Sequence, residues 1–412
     1  MAPRPKVSFS LHPALKLRAN FEIVHGADVA LSPDGAVAAV VRGPGGQRRL
    51  ELLTLATGAV EDALPAVGGL AIELPVWSRD GRRWAVGAMR FEGEARRGVI
   101  VVGERGRAEP LCSAEVSQYG LISRNALARP SPPLAFSPDG DRVVLRVSGA
   151  DDRNALMHLT LPDGAVREQW LDPKEGDLYA QAFTDDGVLY VASGDPGDAA
   201  GLTWYPPGAD APAGRLPWAF GFRIIPARKG LWVLGSPRFA FRVAPGAAVE
   251  VAPAEPPPRE RAVALRARAS AKWDQTCLDS VIHRVDANWP TYNYCYGRSN
   301  YGGGTVPPPP AEGMRGLEND LAWETSYAAR LGDDDVVVCD GVGVWRWRDD
   351  GARLTRDLLV DDTARCTYRG ARLIGLTAAG DTLALLWKKD AAGAKTVLSV
   401  FDVDRAALGD GG

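Results

Sequence analysis

The stretch Leu31-Ser32-Pro33-Asp34-Gly35, followed at once by Ala36-Val37-Ala38-Ala39-Val40-Val41, decides the fold. Asp-Gly between two β-rich runs is a strong short hairpin signal: glycine accepts a positive φ, and the aspartate side chain caps its own turn. The run that follows is apolar throughout, as a strand buried on both faces must be. The phrase recurs as Trp77-Ser78-Arg79-Asp80-Gly81, Phe136-Ser137-Pro138-Asp139-Gly140 and Phe183-Thr184-Asp185-Asp186-Gly187, each before another β-rich run. Weaker copies stand at Pro226 to Gly230, Leu331 to Asp335 and Leu376 to Gly380, which makes seven. Gly35, Gly81, Gly140, Gly187 and Gly230 lie 46, 59, 47 and 43 residues apart. Most of these steps match a four-stranded propeller blade, about 40–50 residues.

Two further strands follow the first hairpin. The run from Arg49 leads through a Thr57-Gly58 turn to the more polar Ala59 to Leu64, and the run from Ala155 leads through Asp163-Gly164 to Ala165 to Leu171. A helical period of 3.6 residues is missing over most of the chain, so the sequence predicts an all-β protein. Its 412 residues exceed one ordinary core, which calls for several domains or radial repetition. A charged fraction of 24% and a hydrophobic fraction of 46% describe a globular chain, and the formal net charge of −3 argues against a dedicated nucleic-acid binder. Basic charge comes from 40 Arg and 8 Lys, as a GC-rich bacterial genome would give. No 18-residue apolar run predicts a membrane span, and the first residues, MAPRPKVSFSLHPALKLR, read as no secretory signal. The expected location is therefore the cytoplasm, with Cys112, Cys277, Cys295, Cys339 and Cys366 as reduced thiols.

The repeated phrase, an apolar residue then Ser-Pro-Asp-Gly and a hydrophobic strand, resembles the repeats of TolB-like (PD40) and WD40-like β-propellers. Four copies carry the resemblance well and three loosely. The Trp-Asp dipeptide that closes WD40 blades is absent from these repeats, so the TolB-like comparison fits better. The resemblance implies a single seven-bladed β-propeller over residues 1–412, and it implies nothing about activity. The last repeat offers only three strands, at Leu373, Thr382 and Thr396. The N-terminal segment 1–24, with Val7 to Leu11 and Leu17 to Val24, is expected to supply the outer strand that closes this last blade.

One region breaks the pattern. Between the fifth repeat, ending near Ala247 to Pro253, and the next inner strand, starting around Thr325, runs an insert over 254–322, expected to be partly helical or irregular and to lie over the channel face. Arg259 to Trp273 reads as a short basic helix, with Arg259, Arg261, Arg266, Arg268 and Lys272 among alanines. The aromatics Trp273, Trp289, Tyr292, Tyr294, Tyr296 and Tyr301 follow, interleaved with His283, Arg284, Arg298 and many Asn, Ser and Gly residues. Rigid amphipathic rings beside adaptable polar groups are the composition of recognition loops, and these residues are the candidate partner-binding set. The same rings would also suit a local mini-core pinning the insert to the body. A shorter break at 113–133 carries Arg124 and Arg129.

Catalytic signals are weak. Cys277, His283 and Cys295 are spaced C-x5-H-x11-C, which matches no usual zinc framework. The four histidines, His12, His25, His158 and His283, accompany no G-x-S-x-G elbow. His158 on an alternating strand reads as a structural residue. Acidic runs at Asp333 to Asp335, Asp349-Asp350 and Asp361-Asp362 fall on expected turns, where aspartate is favoured without any metal. The expected function is a non-catalytic scaffold that presents channel-face loops to a protein partner, in a multi-component bacterial system with an ATPase. No cofactor, metal or membrane is expected. The alternative is a lactonase-like, metal-dependent propeller hydrolase with its site at the central channel.

Overall fold

The computed structural model describes residues 10–44, 47–64, 70–92, 95–116, 134–148, 154–171, 178–193, 201–216, 223–227, 230–234, 240–243, 249–251, 327–339, 343–349, 354–361, 372–388 and 395–409. These form seven antiparallel sheets, six of four strands and one of five. Sheet 1 consists of Gly26–Leu31, Val37–Arg42, Arg49–Thr54 and Val60–Leu64. Sheet 2 has Leu70–Trp77, Arg83–Glu92, Ala95–Glu104 and Cys112–Val116. Sheet 3 has Leu134–Phe136, Arg142–Ser148, Asn154–Thr160 and Val166–Trp170. Sheet 4 has Leu178–Phe183, Leu189–Ser193, Gly201–Tyr205 and Gly214–Leu216. Sheet 5 has Arg223–Ala227, Gly230–Leu234, Ala240–Val243 and Val249–Val251.

The last two sheets use both ends of the chain. Sheet 6 runs Tyr327–Leu331, Asp335–Cys339, Gly343–Asp349 and Leu354–Asp361, and Ser10–Leu11 adds a fifth strand to its outer edge. Sheet 7 runs Arg372–Ala379, Thr382–Lys388 and Lys395–Val403, with Leu15–Val24 as its outermost strand. The N-terminal segment thus touches two sheets rather than one. A turn held by His12 N–H to Leu359 O and Leu15 N–H to His12 O carries it across the seam.

The first strand of each sheet neighbours the first strand of the next, and that of sheet 7 returns to that of sheet 1. Seven apolar clusters fill the spaces between successive sheets, one per space. Second strands are buried on both sides for this reason: Val37, Ala39 and Val41 pack toward sheet 2, while Ala38 and Val40 pack toward sheet 7. A sheet squeezed between two others needs apolar side chains on both faces, hence runs without polar alternation. This radial order of twisted antiparallel sheets is a β-propeller.

Two tryptophans replace missing side-chain volume across strands. Trp84 stands opposite Gly103 and Trp204 opposite Gly214, and a Cβ on either glycine would sit inside the facing indole ring. Trp84 is fully buried and holds the space between sheets 1 and 2. Gly103→Ala is therefore expected to destabilise by about 1–3 kcal/mol, the usual cost of overpacking a filled core. An unchanged urea midpoint for this variant would show that the ring can shift freely.

Candidate interaction surface

Each sheet starts at the axis and steps outward through antiparallel strands, so its first and third turns share one face and its second turn shares the other with the links between sheets. The Asp-Gly turns all lie on the first of these, the turn face. Their geometry repeats. In sheet 1, Ser32 N–H donates to Val37 O and Gly35 N–H to Ser32 O, enclosing a four-residue loop. The Ser32 hydroxyl donates to Asp34 Oδ1 at 2.5 Å and accepts from Val37 N–H, while Asp34 Oδ1 also accepts from Ala36 N–H. Ser78 with Asp80, Ser137 with Asp139 and Thr184 with Asp186 repeat the hydroxyl-to-carboxylate bond. The four glycines have φ between 64° and 84°, a region open to glycine and strained for other residues. Pro33 suits the second position of a type I turn, which explains a four-residue loop where Asp-Gly alone would suggest two.

Three of these carboxylates, Asp34, Asp80 and Asp139, are held as anions. Burial disfavours the charged form of Asp34, but the Ser32 hydroxyl, the Ala36 amide and Arg105 outweigh it, and its pKa falls below the ordinary value. Asp80 is lowered against its own burial by Ser78, the Arg82 amide and nearby arginines. For Asp139 the Ser137 hydroxyl dominates.

The turn face is also knitted from sheet to sheet. Arg105 in sheet 2 pairs with Asp34 of sheet 1 at 3.1 Å, and Arg83 reaches Gly140 O and Asp141 of sheet 3 at 2.7 and 3.0 Å. Arg79 passes the sheet 3 turn to pair with Asp185 of sheet 4 at 3.1 Å. Gly332 N–H donates to Gly380 O between sheets 6 and 7.

The acidic run Asp333 to Asp335 dissolves into such links. Asp333 lies 3.7 Å from Arg330, and Asp334 O accepts from the Trp232 indole of sheet 5. Asp335 is buried at the start of its strand, contrary to a simple turn role, and it anchors a charge network. Arg346, 1% exposed, places its Nε and one terminal nitrogen 2.7 and 2.6 Å from Asp335 Oδ2. Arg405 adds a contact to the same oxygen at 3.2 Å and binds Asp381 at 2.7 Å. Among the described residues, no group of three or more His, Cys, Asp and Glu side chains converges as a metal site would.

His158 is buried on the third strand of sheet 3. Its Nε2–H donates to Gln169 Oε1 at 2.9 Å, since that oxygen only accepts, and Gln169 passes the link to Asp210 O of sheet 4 at 2.8 Å. Burial first, then Arg167 and Arg142, push its pKa down, so the ring is neutral and bridges two sheets. Burial raises the Cys112 thiol, which is the un-ionised form of an unreactive cysteine.

The opposite face is where the insert joins the body. Val251 ends the outermost strand of sheet 5 and Tyr327 begins the first strand of sheet 6, so both open on the face away from the Asp-Gly turns. The candidate partner-binding residues Trp273, His283, Arg284, Trp289, Tyr292, Tyr294, Tyr296, Arg298 and Tyr301 lie outside the described residues, as do Arg124, Arg129, Cys277 and Cys295. No helix among the described residues is long and apolar enough to cross a membrane.

The ring of sheets and its locked turns define an all-β β-propeller. No protein-family model matches the chain, and no curated protein matches it. Among solved structures, it is similar to a chain in the crystal structure of the mitotic checkpoint complex, at 11% identity and TM-score 0.54, over 98% of this chain and 95% of that one. It is also similar to the β-propeller domain of the Trilobed protease from Pyrococcus furiosus, which has an open velcro topology, at 10% identity and TM-score 0.48, over 91% and 95% of the two chains. At 11% identity the first of these likenesses bears on the fold alone.

Proposed function

We propose that the chain is a seven-bladed propeller of the TolB-like (PD40) type, working in the cytoplasm as a non-catalytic platform. It presents the loops of the insert face, foremost 254–322, to a protein partner in an assembly that includes an ATPase. The observation that carries this reading is the asymmetry of the two faces. On the turn face, carboxylates and guanidiniums hold neighbouring sheets together, as with Arg105–Asp34, Arg83–Asp141 and Arg405–Asp335. Both ends of the insert open on the other face, and the insert carries the Trp, Tyr and Arg residues typical of binding hot spots. A propeller in the mitotic checkpoint complex, a protein assembly, shares the fold and is consistent with such a role.

The test is a deletion. A chain lacking residues 256–312 is expected to keep its thermal midpoint and to lose partner recovery in quantitative cross-linked pull-downs from cells of its source. Equal recovery of the same partners by the deleted and full chains would overturn the reading.

A further inference from the structure

We propose that the ring carries one built-in weak seam, between sheets 3 and 4, which parts from the insert face ahead of the other inter-sheet spaces. Its basis is a set of buried polar atoms without partners. Ser193 and Thr203, 0% and 1% exposed, meet no hydrogen-bond partner for their side-chain oxygens. Both side chains point at sheet 3: Thr203 stands opposite Val191, Ser193 lies two residues beyond it, and Val191 packs with Val144 and Leu156 of sheet 3. His158 enters the same space from sheet 3. Its Nε2–H goes to Gln169, and its Nδ1 meets no donor. Elsewhere in the ring such hydroxyls are matched. Thr396 donates to Ile23 O, Thr377 accepts from Leu31 N–H, Thr382 accepts from Arg18 and Ser399 donates to Asn20. With the bonded turn residues Ser32, Ser78, Ser137 and Thr184, this leaves Ser193 and Thr203 as the exceptions among the described buried Ser and Thr residues.

A buried hydroxyl without a partner has lost the water it bonded in the unfolded chain and gained nothing in exchange. Parting of the sheets restores that water, so this seam opens at lower cost than one whose hydroxyls are matched. The direction follows from where the groups lie. Ser193 ends its strand and Asn154 begins its own at the insert face, and Arg146, on the side of Val144, donates to Leu178 O of sheet 4 at 3.1 Å. The turn-face half is apolar, with Val144, Phe183, Leu189 and Tyr205. It is also braced, by Gln169 donating to Asp210 O at 2.8 Å and by Arg79 of sheet 2 pairing with Asp185 of sheet 4 at 3.1 Å. The two sheets therefore pivot on the turn-face half and separate at the insert-face half. This holds whatever the insert binds.

The experiment labels thiols with iodoacetamide in the folded full chain and reads each site by mass spectrometry. Ser193→Cys puts a thiol at the seam, and Cys339 is the internal reference. It ends the second strand of sheet 6 as Ser193 ends that of sheet 4, and it is 4% exposed against 0%. Static burial predicts that Cys339 reacts at least as fast, whereas an opening seam predicts labelling at Ser193→Cys about 10-fold faster. Thr203→Val keeps the side-chain shape and removes the unmatched hydroxyl. It is expected to raise the thermal midpoint by about 1–3 °C and, combined with Ser193→Cys, to slow labelling several-fold. Thr396→Val, which removes a matched hydroxyl between sheets 7 and 1, should lower the midpoint instead. Labelling at Ser193→Cys equal to or slower than that at Cys339 would overturn the proposal. A midpoint unchanged or lowered by Thr203→Val would overturn it too, since that hydroxyl would then have a partner, a bound water included. The Thr203→Val midpoint decides the question by itself if Ser193→Cys does not fold.

Discussion

A chain lacking residues 1–24 is expected to show no cooperative unfolding transition by circular dichroism. Leu15–Val24 pairs with Lys395–Val403 at nine register positions from Leu15↔Val403 to Val24↔Lys395. Its loss would leave Lys395–Val403 as an open edge beside buried Leu398, Val400 and Phe401. The strand also wedges two cores: Leu15 belongs to the cluster between sheets 6 and 7, and Ile23 to that between sheets 7 and 1. Polar links go with it. Ser399 Oγ donates to Asn20 Oδ1 at 2.7 Å, Thr396 Oγ donates to Ile23 O, and Arg18 pairs with Asp402. Backbone pairs contribute about 0.5–1.5 kcal/mol each, and whole domains hold only about 5–15 kcal/mol. Losing the strand therefore exceeds the margin of the fold, and the damage falls where the two ends of the chain join the ring. A milder truncation of residues 1–12 removes only Ser10–Leu11 and the His12 turn, and should lower the midpoint by several degrees while keeping cooperativity. A folded chain without 1–24, melting at the parental temperature, would mean that the ring closes without this strand.

The sheets were legible in the sequence to the extent that their turns are chemical. Ser32-Pro33-Asp34-Gly35 and its copies mark the first hairpin of sheets 1 to 4 because each residue type there has a bond or a backbone angle to supply. The weaker copies near Gly230, Gly332 and Gly380 fall on hairpins as well, recognised by the apolar runs that follow them. Ser10–Leu11 could not be read this way. Two residues carry no periodicity, and their partners Asp361 and Val360 lie some 350 positions away, so the expected single role of the N-terminus on the last blade missed its hold on sheet 6. The run Asp333 to Asp335 suggested turn chemistry, and Asp335 instead answers a buried arginine eleven residues on. The partner-binding expectation rests on composition in 254–322, a stretch without the repeats that made the ring readable.

That buried arginine carries the second large effect. Arg346→Ala is expected to cost about 3–5 kcal/mol, the usual result of removing one member of a buried ion pair and leaving the other charged. Asp335, with its side chain 8% exposed, would lose its two shortest described contacts and retain that with Arg405, which at 3.2 Å is longer and is shared with Asp381. Arg346 also lies 3.5 Å from Leu408 O and from Asp357, so it ties the C-terminal turn Ala406–Leu408 to sheet 6. Leu408 is buried in the same cluster as Leu15, and Asp404 N–H donates to Ala14 O beside it. The network therefore clamps the seam where both ends of the chain meet. Removing both charges together, as Arg346→Met with Asp335→Asn, should recover part of the loss, because no unpaired carboxylate remains in the interior. Urea midpoints of the two single variants and the double variant give the coupling directly. A loss below about 0.5 kcal/mol for Arg346→Ala, within the range of ordinary surface substitutions, would mean that Asp335 is neutralised without Arg346 and that the seam does not depend on the arginine at its centre.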